Sequence, residues 1–533
     1  MQWAVLLMLL GAAVRLLHLL LIDTSLPYRS GGLFTEFALQ IVAHNYALPH
    51  HIPFYSADGL PFAYPPLAFY FDAVIFDLLD PPRFQVVTFV PPLIAVLTLP
   101  AFWMLVRALP LAPTEQLAAL AAYGLMPLAF VEQIEGAGIS EGFGTICMAW
   151  LAAFLARSWR DDRWRDHVLA GAAWAGCVLA SPGTAFAAVP TVALYVLARW
   201  RAANWHWRGF WYPRTILTGV VAVLLSAPYW LTVAARHGVT IYTKSVGAQY
   251  DTSYLNELLQ TLNTYHAWPG AAWDVLIFAG LLLAIRRRWW ALIVPWIGMT
   301  VGVPREGKWM IAMPGAILAG MALAEILQSP HPKSLSQEER DLQKSRFPSF
   351  LWKKTYRALF SPSTLGRGSE PEVREGVRAK TLAILGLIAL LLLAPIIAVR
   401  NQVDYNAKSL VTHDHIDALT WADANLPADA VFVILSNNTV IEWSPQIVRR
   451  TVLNVPYGTE FEPDEARRVH TLQGLLKRCT SGECVRNSVG AVGLVVESLY
   501  VLVDADGADR VADGGITVLH AQGDVHIARI EQP

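Results

Sequence analysis

The sequence predicts a mainly α membrane protein: a polytopic helical bundle with a large first outer loop, followed by a small extracytoplasmic α/β domain. Three observations carry this. Of 533 residues, 54% are hydrophobic and only 16% charged, with 20 Trp, and the mean hydropathy is +0.39, beyond the composition of a soluble chain. About eleven apolar segments are long enough, or nearly so, to cross a bilayer. After Arg400 the pattern turns to short β-type runs mixed with amphipathic helical stretches.

The expected spans lie near 3 to 22, 84 to 106, 114 to 132, 140 to 156, 167 to 180, 183 to 198, 215 to 235, 271 to 285, 289 to 303, 309 to 327 and 380 to 399. The first lacks a positive n-region and a small-residue cleavage site, so it reads as a retained span and not a signal peptide. The pair around "ASPGTAF" is short, and one re-entrant hairpin would serve in its place with the same sidedness elsewhere. Basic residues crowd into "RSWRDDRWRDH", "RWRAANWHWRGFWYPR", "RRR" and the long stretch from "HPKSLSQEER" to "VREGVRAK". The positive-inside rule then places the N-terminus in the cytoplasm, and residues 23–83 and 401–533 outside, in a multi-pass protein of the plasma membrane.

The expected domains are a transmembrane part, 1–400, with a cytoplasmic linker loop at 328–379, and an extracytoplasmic α/β domain, 401–533. In the linker, "PSFLWKKTYRALF" reads as an amphipathic helix lying on the membrane surface through Phe350 and Trp352. In the outer domain "AVFVILS", "VGLVVES", "GITVLHA" and "VHIARI" read as strands, "HIDALTWADANL" and "DEARRVHTLQGLLKR" as helices, and "QGD" as a hairpin turn. A net charge of −1 and the lack of a basic tail give no sign of nucleic-acid binding. Nothing matches a phosphate-binding GxxxxGK[ST] loop, so ATP is not expected to drive this chain. The four cysteines do not form a zinc pattern. Cys147 and Cys177 lie in apolar runs, while Cys479 and Cys484 in "CTSGEC" are expected to close a disulfide in an oxidising compartment, the alternative being two free thiols.

The first outer loop is long for a connection between spans. Within "GGLFTEFALQI", a lone carboxylate, Glu36, sits among small and apolar residues at the start of a helical pattern continued by Phe37, Ala38, Ile41 and Val42. The positive end of that helix favours an ionised carboxylate. Further on, "FAYPPLAFYF" carries a Pro-Pro pair that stops one element and orients the next.

"TEFALQIVAHNYALP…FAYPPLAFY" resembles the first outer loop of the multi-pass GT-C glycosyltransferases that use lipid-linked sugars. That family carries an acid or an Asp-Glu pair after the first span, then a helix, then a His- or Tyr-Pro-Pro-Leu segment. Glu36 falls on the second acid, and Thr35 replaces the first. Arg15 in "GAAVRLLHLLL", the span "KWMIAMPGAILAGMALA", and "ALTWADANLPADAVFVI" with "EWSPQIVRRTVLNVPYGTEF" fit the same resemblance. It implies an integral-membrane hexosyl- or pentosyltransferase that moves a sugar, with inversion, from a polyprenyl-phosphate donor to a lipid, glycan or protein acceptor on the outer face.

Such a transfer needs a base for the acceptor proton and positive charge for the departing phosphate. Glu36 is the expected base, a solvated helix-terminal carboxylate being the alternative. The family commonly places a second acid in the next outer loop, and in "VEQIEGAGISEGFG" Glu141 lies nearest that place, with Glu135 as a substrate contact. Glu132, Glu135 and Glu141 together would also suit a divalent cation such as Mg or Mn, since hard cations take oxygen ligands; no cofactor is otherwise implied. Arg305 and Lys308 in "GVPREGKWM" are outward cations against the positive-inside bias, expected to hold phosphate, with snorkelling anchors as the alternative. Lys244 is a further phosphate candidate, and Tyr64 would line a sugar subsite. His44, His50 and His51 share the first loop, but the adjacent pair lacks the helical spacing of a zinc site. Two other classes stay open. A lipid or glycan transporter or flippase would place ionisable groups at mid-membrane depth, and a non-catalytic scaffold would use the outer domain to recruit partners.

Overall fold

The computed structural model describes residues 2–202, 213–243, 271–290, 292–294, 297–298, 308–328, 370–407, 411–505, 507 and 515–531. In chain order the bundle consists of α1 (Gln2–Leu16), α2 (Gly32–Ala43), a short hairpin of β1 (His51–Ile52) and β2 (Leu60–Pro61), α3 (Leu67–Leu79), α4 (Arg83–Ala108), α5 (Pro113–Leu125), α6 (Ile139–Asp161), α7 (Trp164–Ala180), α8 (Pro182–Ala202), α9 (Pro213–His237), α10 (Ala271–Arg286), α11 (Lys308–Gln328) and α12 (Glu370–Asn406). The C-terminal part adds α13 (His413–Asn425), β3 (Val431–Leu435), α14 (Asn438–Val448), β4 (Thr451–Val452), α15 (Pro463–Leu476), α16 (Gly482–Ala491), β5 (Leu499–Val503), β6 (Ile516–Gln522) and β7 (Val525–Ile530).

Among the described residues seven helices are long and apolar enough to cross a bilayer: Gln2–Leu20, Arg83–Ala108, Gly136–Asp161, Pro182–Arg201, Arg214–His237, Ile311–Gln328 and Leu385–Asp404. Three further expected spans are shorter helices, α5, α7 and α10, and the segment expected at 289–303 lies mostly outside the described residues. Helix α5 ends at Leu125 because Met126 precedes a proline, which pushes it to extended backbone (φ −72°, ψ 117°). The "ASPGTAF" stretch forms two helices, broken at extended Ser181 (φ −158°, ψ 141°) with Pro182 opening α8. The expected surface helix at 348–360 lies outside the described residues.

Arg15 is fully buried in α1 and explains itself by its partners. Its guanidinium donates to the carbonyls of Gly124 (2.9 Å), Tyr123 (3.1 Å) and Gly11 (3.2 Å), and lies over the rings of Tyr123 and Phe130. A charge in that setting persists only when paired in this way, and here it ties α1 to the C-terminal end of α5.

The C-terminal sheet has the order β4-β3-β5-β7-β6, parallel over the first three strands and antiparallel over the rest. Its strands alternate as the pleat requires. Phe432, Ile434, Tyr500, Leu502 and Ile527 join the core that runs into the bundle, whereas Val433, Leu435, Val501, Val503 and Ile530 close a separate core with α15 and α16. Three of the expected strands and both expected helices are present. The run "VGLVVES" is not a strand: Gly493 turns the chain at φ +79°, Val495 is 97% exposed, and the strand starts at Leu499. Cys479 and Cys484 form a disulfide with Cα atoms 5.3 Å apart.

Candidate functional site

Three remote segments meet at the N-terminus of α2. Gly31 has φ +146°, and a Cβ there would run into the Val87 side chain, while a Cβ on Gly136 would run into the Ser30 carbonyl. Gly32 faces α14, where a Cβ would stand 2.9 Å from the Glu442 carbonyl and 3.0 Å from the Trp443 Cα. Only glycines allow this approach, so "GG" is the point at which the first loop, the 131–138 loop and the C-terminal domain close on one another. The contact is polar as well: the Trp443 indole donates to the Arg29 carbonyl (2.7 Å), and the Val452 amide of β4 donates to the Phe54 carbonyl (2.9 Å), which covers that sheet edge.

Glu36 sits one turn into α2 and is 6% exposed. Its Oε1 accepts from Gln40 Nε2 at 2.8 Å, and among the described residues Oε2 has no hydrogen-bond partner. Burial raises its pKa, offset in part by the Gln40 hydrogen bond and by the Arg83 guanidinium. Beside it the structure places a carboxylate that the sequence did not single out. Glu442 of α14 is buried, and its Oε1 accepts the Gly31 amide at 2.9 Å, so it caps α2 across the domain boundary. Burial pushes this carboxyl up to about 7, against the pull of the Gly31, Leu33 and Gly32 amides and of Arg29. The buried Tyr55 feels the charge of both Glu36 and Glu442, and its hydroxyl has no hydrogen-bond partner.

A second arm of the C-terminal domain reaches the same loop. Gly458, at φ +84°, packs on Leu33 and Leu60, and Phe461 meets the Tyr64 ring edge-on at 4.9 Å. Tyr64 is half-buried among Phe34, Phe37, Phe69 and Phe461. Glu460, between these contacts, is pushed up to about 7 by burial. On α3, which packs against α2, Asp72 is buried with Oδ1 unpartnered, and burial alone pushes it up to about 8.

The acids of the 131–144 stretch do not gather as a cation site. Glu135 has protein partners on both oxygens: Arg29 pairs with Oε2, while Gln402 and Asn406 of α12 donate to Oε1. These partners tie the loop to α12. Glu141 lies in the first turn of α6 and is half-exposed. Among the described residues the group whose ligand atoms lie close enough for one metal ion is His50, His51 and His237, not Glu132, Glu135 and Glu141. Arg305 and Lys244 lie outside the described residues, as does the side chain of Lys308, whose backbone opens α11. An apolar cavity of about 820 Å³ lined by Leu105, Trp159, Tyr195 and Trp289 lies at the Ala108 end of α4. Arg83, near Glu36, opens that helix at the other end, roughly 40 Å away for a helix of this length.

Residues 63–231 match the family described as dolichyl-phosphate-mannose-protein mannosyltransferase. No curated protein sequence matches the chain. The chain is similar in structure to ArnT from Cupriavidus metallidurans bound to undecaprenyl phosphate, at 16% identity and a TM-score of 0.58, over 99% of this chain and 98% of that one. It is also similar to the Archaeoglobus fulgidus oligosaccharyltransferase tethered to an acceptor peptide, at 13% identity and a TM-score of 0.57, over 94% and 69% of the two chains. The arabinofuranosyltransferase AftD from Mycobacteria aligns at 14% identity and a TM-score of 0.54, over 100% of this chain and 42% of AftD.

The chain has the GT-C glycosyltransferase fold. It is a multi-pass membrane protein in which the GT-C bundle and the C-terminal sheet domain meet at the first loop. The sequence match begins at Ala63 and so leaves out Glu36 and Glu442. What marks those two acids is the geometry of the GT-C junction itself.

Proposed function

We propose that this chain transfers a sugar from a polyprenyl-phosphate carrier to an acceptor on the outer face of the membrane, at the junction of α2 and the C-terminal domain. The observation that carries the reading is Glu36: a buried carboxyl with one unpartnered oxygen, on a GT-C fold, where three remote segments converge. Glu36 takes the proton of the acceptor hydroxyl as the acceptor oxygen bonds to the anomeric carbon. The bond from that carbon to the phosphate oxygen breaks, and its electron pair leaves with the polyprenyl phosphate. Exposed Arg83, whose charge reaches Glu36, is the described cation suited to meet that phosphate, and Arg305, Lys308 and Lys244 are its further contacts. Glu141 supplies a second acid. The crowding of basic residues into the loops expected on the cytoplasmic side supports the outward orientation.

Purified protein in proteoliposomes, incubated with a panel of polyprenyl-phosphate sugars, is expected to release polyprenyl phosphate and glycosylate an added acceptor. Failure with every donor, together with no binding of polyprenyl phosphate, would overturn the reading. The pH profile gives a separate check. A base works ionised, and burial holds the Glu36 pKa above its ordinary value. Activity is therefore expected to fall as pH drops through that raised pKa, so the acid limb of kcat/KM lies above the usual glutamate value of about 4.3. A limb at the ordinary value would assign the proton to another group.

A further inference from the structure

His50 and His51, at the start of the β1–β2 hairpin, meet His237, the last residue of α9. The Nδ1 atoms of His50 and His51 are 2.7 Å apart. Ring centroids lie 4.9 Å apart for His50 and His237 and 5.5 Å for His51 and His237. One ligand nitrogen from each falls within 4.8 Å of the other two. His237 Nε2 is buried and has no hydrogen-bond partner. Three imidazoles gather around one point, where the hydrogen bond between the His50 and His51 Nδ1 atoms is a contact that a metal ion would replace.

The surroundings hold this array in place. Arg236 donates to the carbonyls of Leu48 (2.6 Å) and Pro49 (2.9 Å), which clamps the residues just before His50 onto the end of α9. These two hydrogen bonds aim the Arg236 guanidinium at the carbonyls of Leu48 and Pro49. The C-terminal end of a helix carries partial negative charge, which favours a cation at His237. Tetrahedral zinc at about 2.0–2.1 Å from each nitrogen sets them roughly 3.3 Å apart, a spacing that side-chain rotation reaches from the present one.

We propose that His50, His51 and His237 form a transition-metal site of the zinc class that staples the first loop to α9. Imidazole nitrogen selects zinc, copper or nickel over magnesium or manganese, so this site is chemically distinct from an oxygen-ligand cation at the glutamates. With three protein ligands the fourth position is left to water or an anion.

The test uses full-length protein carrying a tag without histidine, stripped with EDTA and titrated with zinc chloride in detergent. One zinc per chain is expected by mass spectrometry of the metal content. Zinc is also expected to raise the melting temperature, and cobalt to give the intense visible bands of a tetrahedral site. His51→Ala and His237→Ala are each expected to weaken zinc binding at least about tenfold, while His44→Ala leaves it unchanged. His50 and His51 are exposed, so their variants keep the test valid where His237→Ala fails to fold. Zinc bound no better than by the His50→Ala, His51→Ala double variant, or only octahedral cobalt spectra, would overturn the site.

Discussion

Glu36→Gln is expected to yield a folded, inserted protein that has lost sugar transfer by roughly 10²- to 10⁴-fold, the range for removal of a general base. The substitution keeps the shape of the side chain, and its carbonyl oxygen still accepts from Gln40, so α2 retains the contact seen at Oε1. It also removes a carboxyl whose ionisation burial already opposes, so the melting temperature at neutral pH should not fall. The acid limb of the pH profile should vanish with the activity. Initial rates in proteoliposomes, read beside thermal unfolding, separate the two effects. Near-normal turnover in the Gln variant would return Glu36 to a structural role at the start of α2.

The helical bundle was legible because apolar length is read directly from residues. Where it differs, local backbone chemistry explains it, as Met126 before Pro127 does for the end of α5. The α2 helix, with Glu36 near its start, followed from the spacing of Phe37, Ala38 and Ile41, all buried in the structure. The hairpin of β6 and β7 followed from "QGD", where Gly523 takes φ +54°. Burial of Glu36 was not legible, since it depends on remote segments packed against α2, and Glu442 was invisible because it acts from a distant helix. A glutamate beside Trp443 reads as a solvated face, yet every residue from Thr439 to Gln446 is buried. The signal the sequence did carry was one carboxylate inside the run "TVIEWSPQIV", whose other residues are apolar or uncharged. The histidine cluster needed His237, far along the chain, and periodicity carries no information about which remote residue a loop will meet.

Trp443→Ala is expected to have the largest effect on stability, about 3–5 kcal/mol for truncating a fully buried Trp. The indole is 0% exposed, stands edge-on to Phe84 at 5.4 Å between centroids, and lies against Gly32. Its loss opens a cavity between α14, α2 and the first turn of α4, and leaves the Arg29 carbonyl without the indole donor. The damage should stay on one side of the sheet. Val433, Leu435, Val501 and Val503 pack in the separate core with α15 and α16, which Trp443 does not enter. Hydrogen exchange should therefore speed up over residues 29–36 and 438–448 while β5 and α15 remain protected. Because Glu442 can cap α2 only while α14 is docked, transfer should fall along with that protection. Trp443→Phe divides the contributions: it keeps most of the packing and removes only the N–H···O bond, worth about 1 kcal/mol. Unchanged exchange over 29–36 in Trp443→Ala would mean that α2 holds its position without the C-terminal domain, and that the domain does not organise the site.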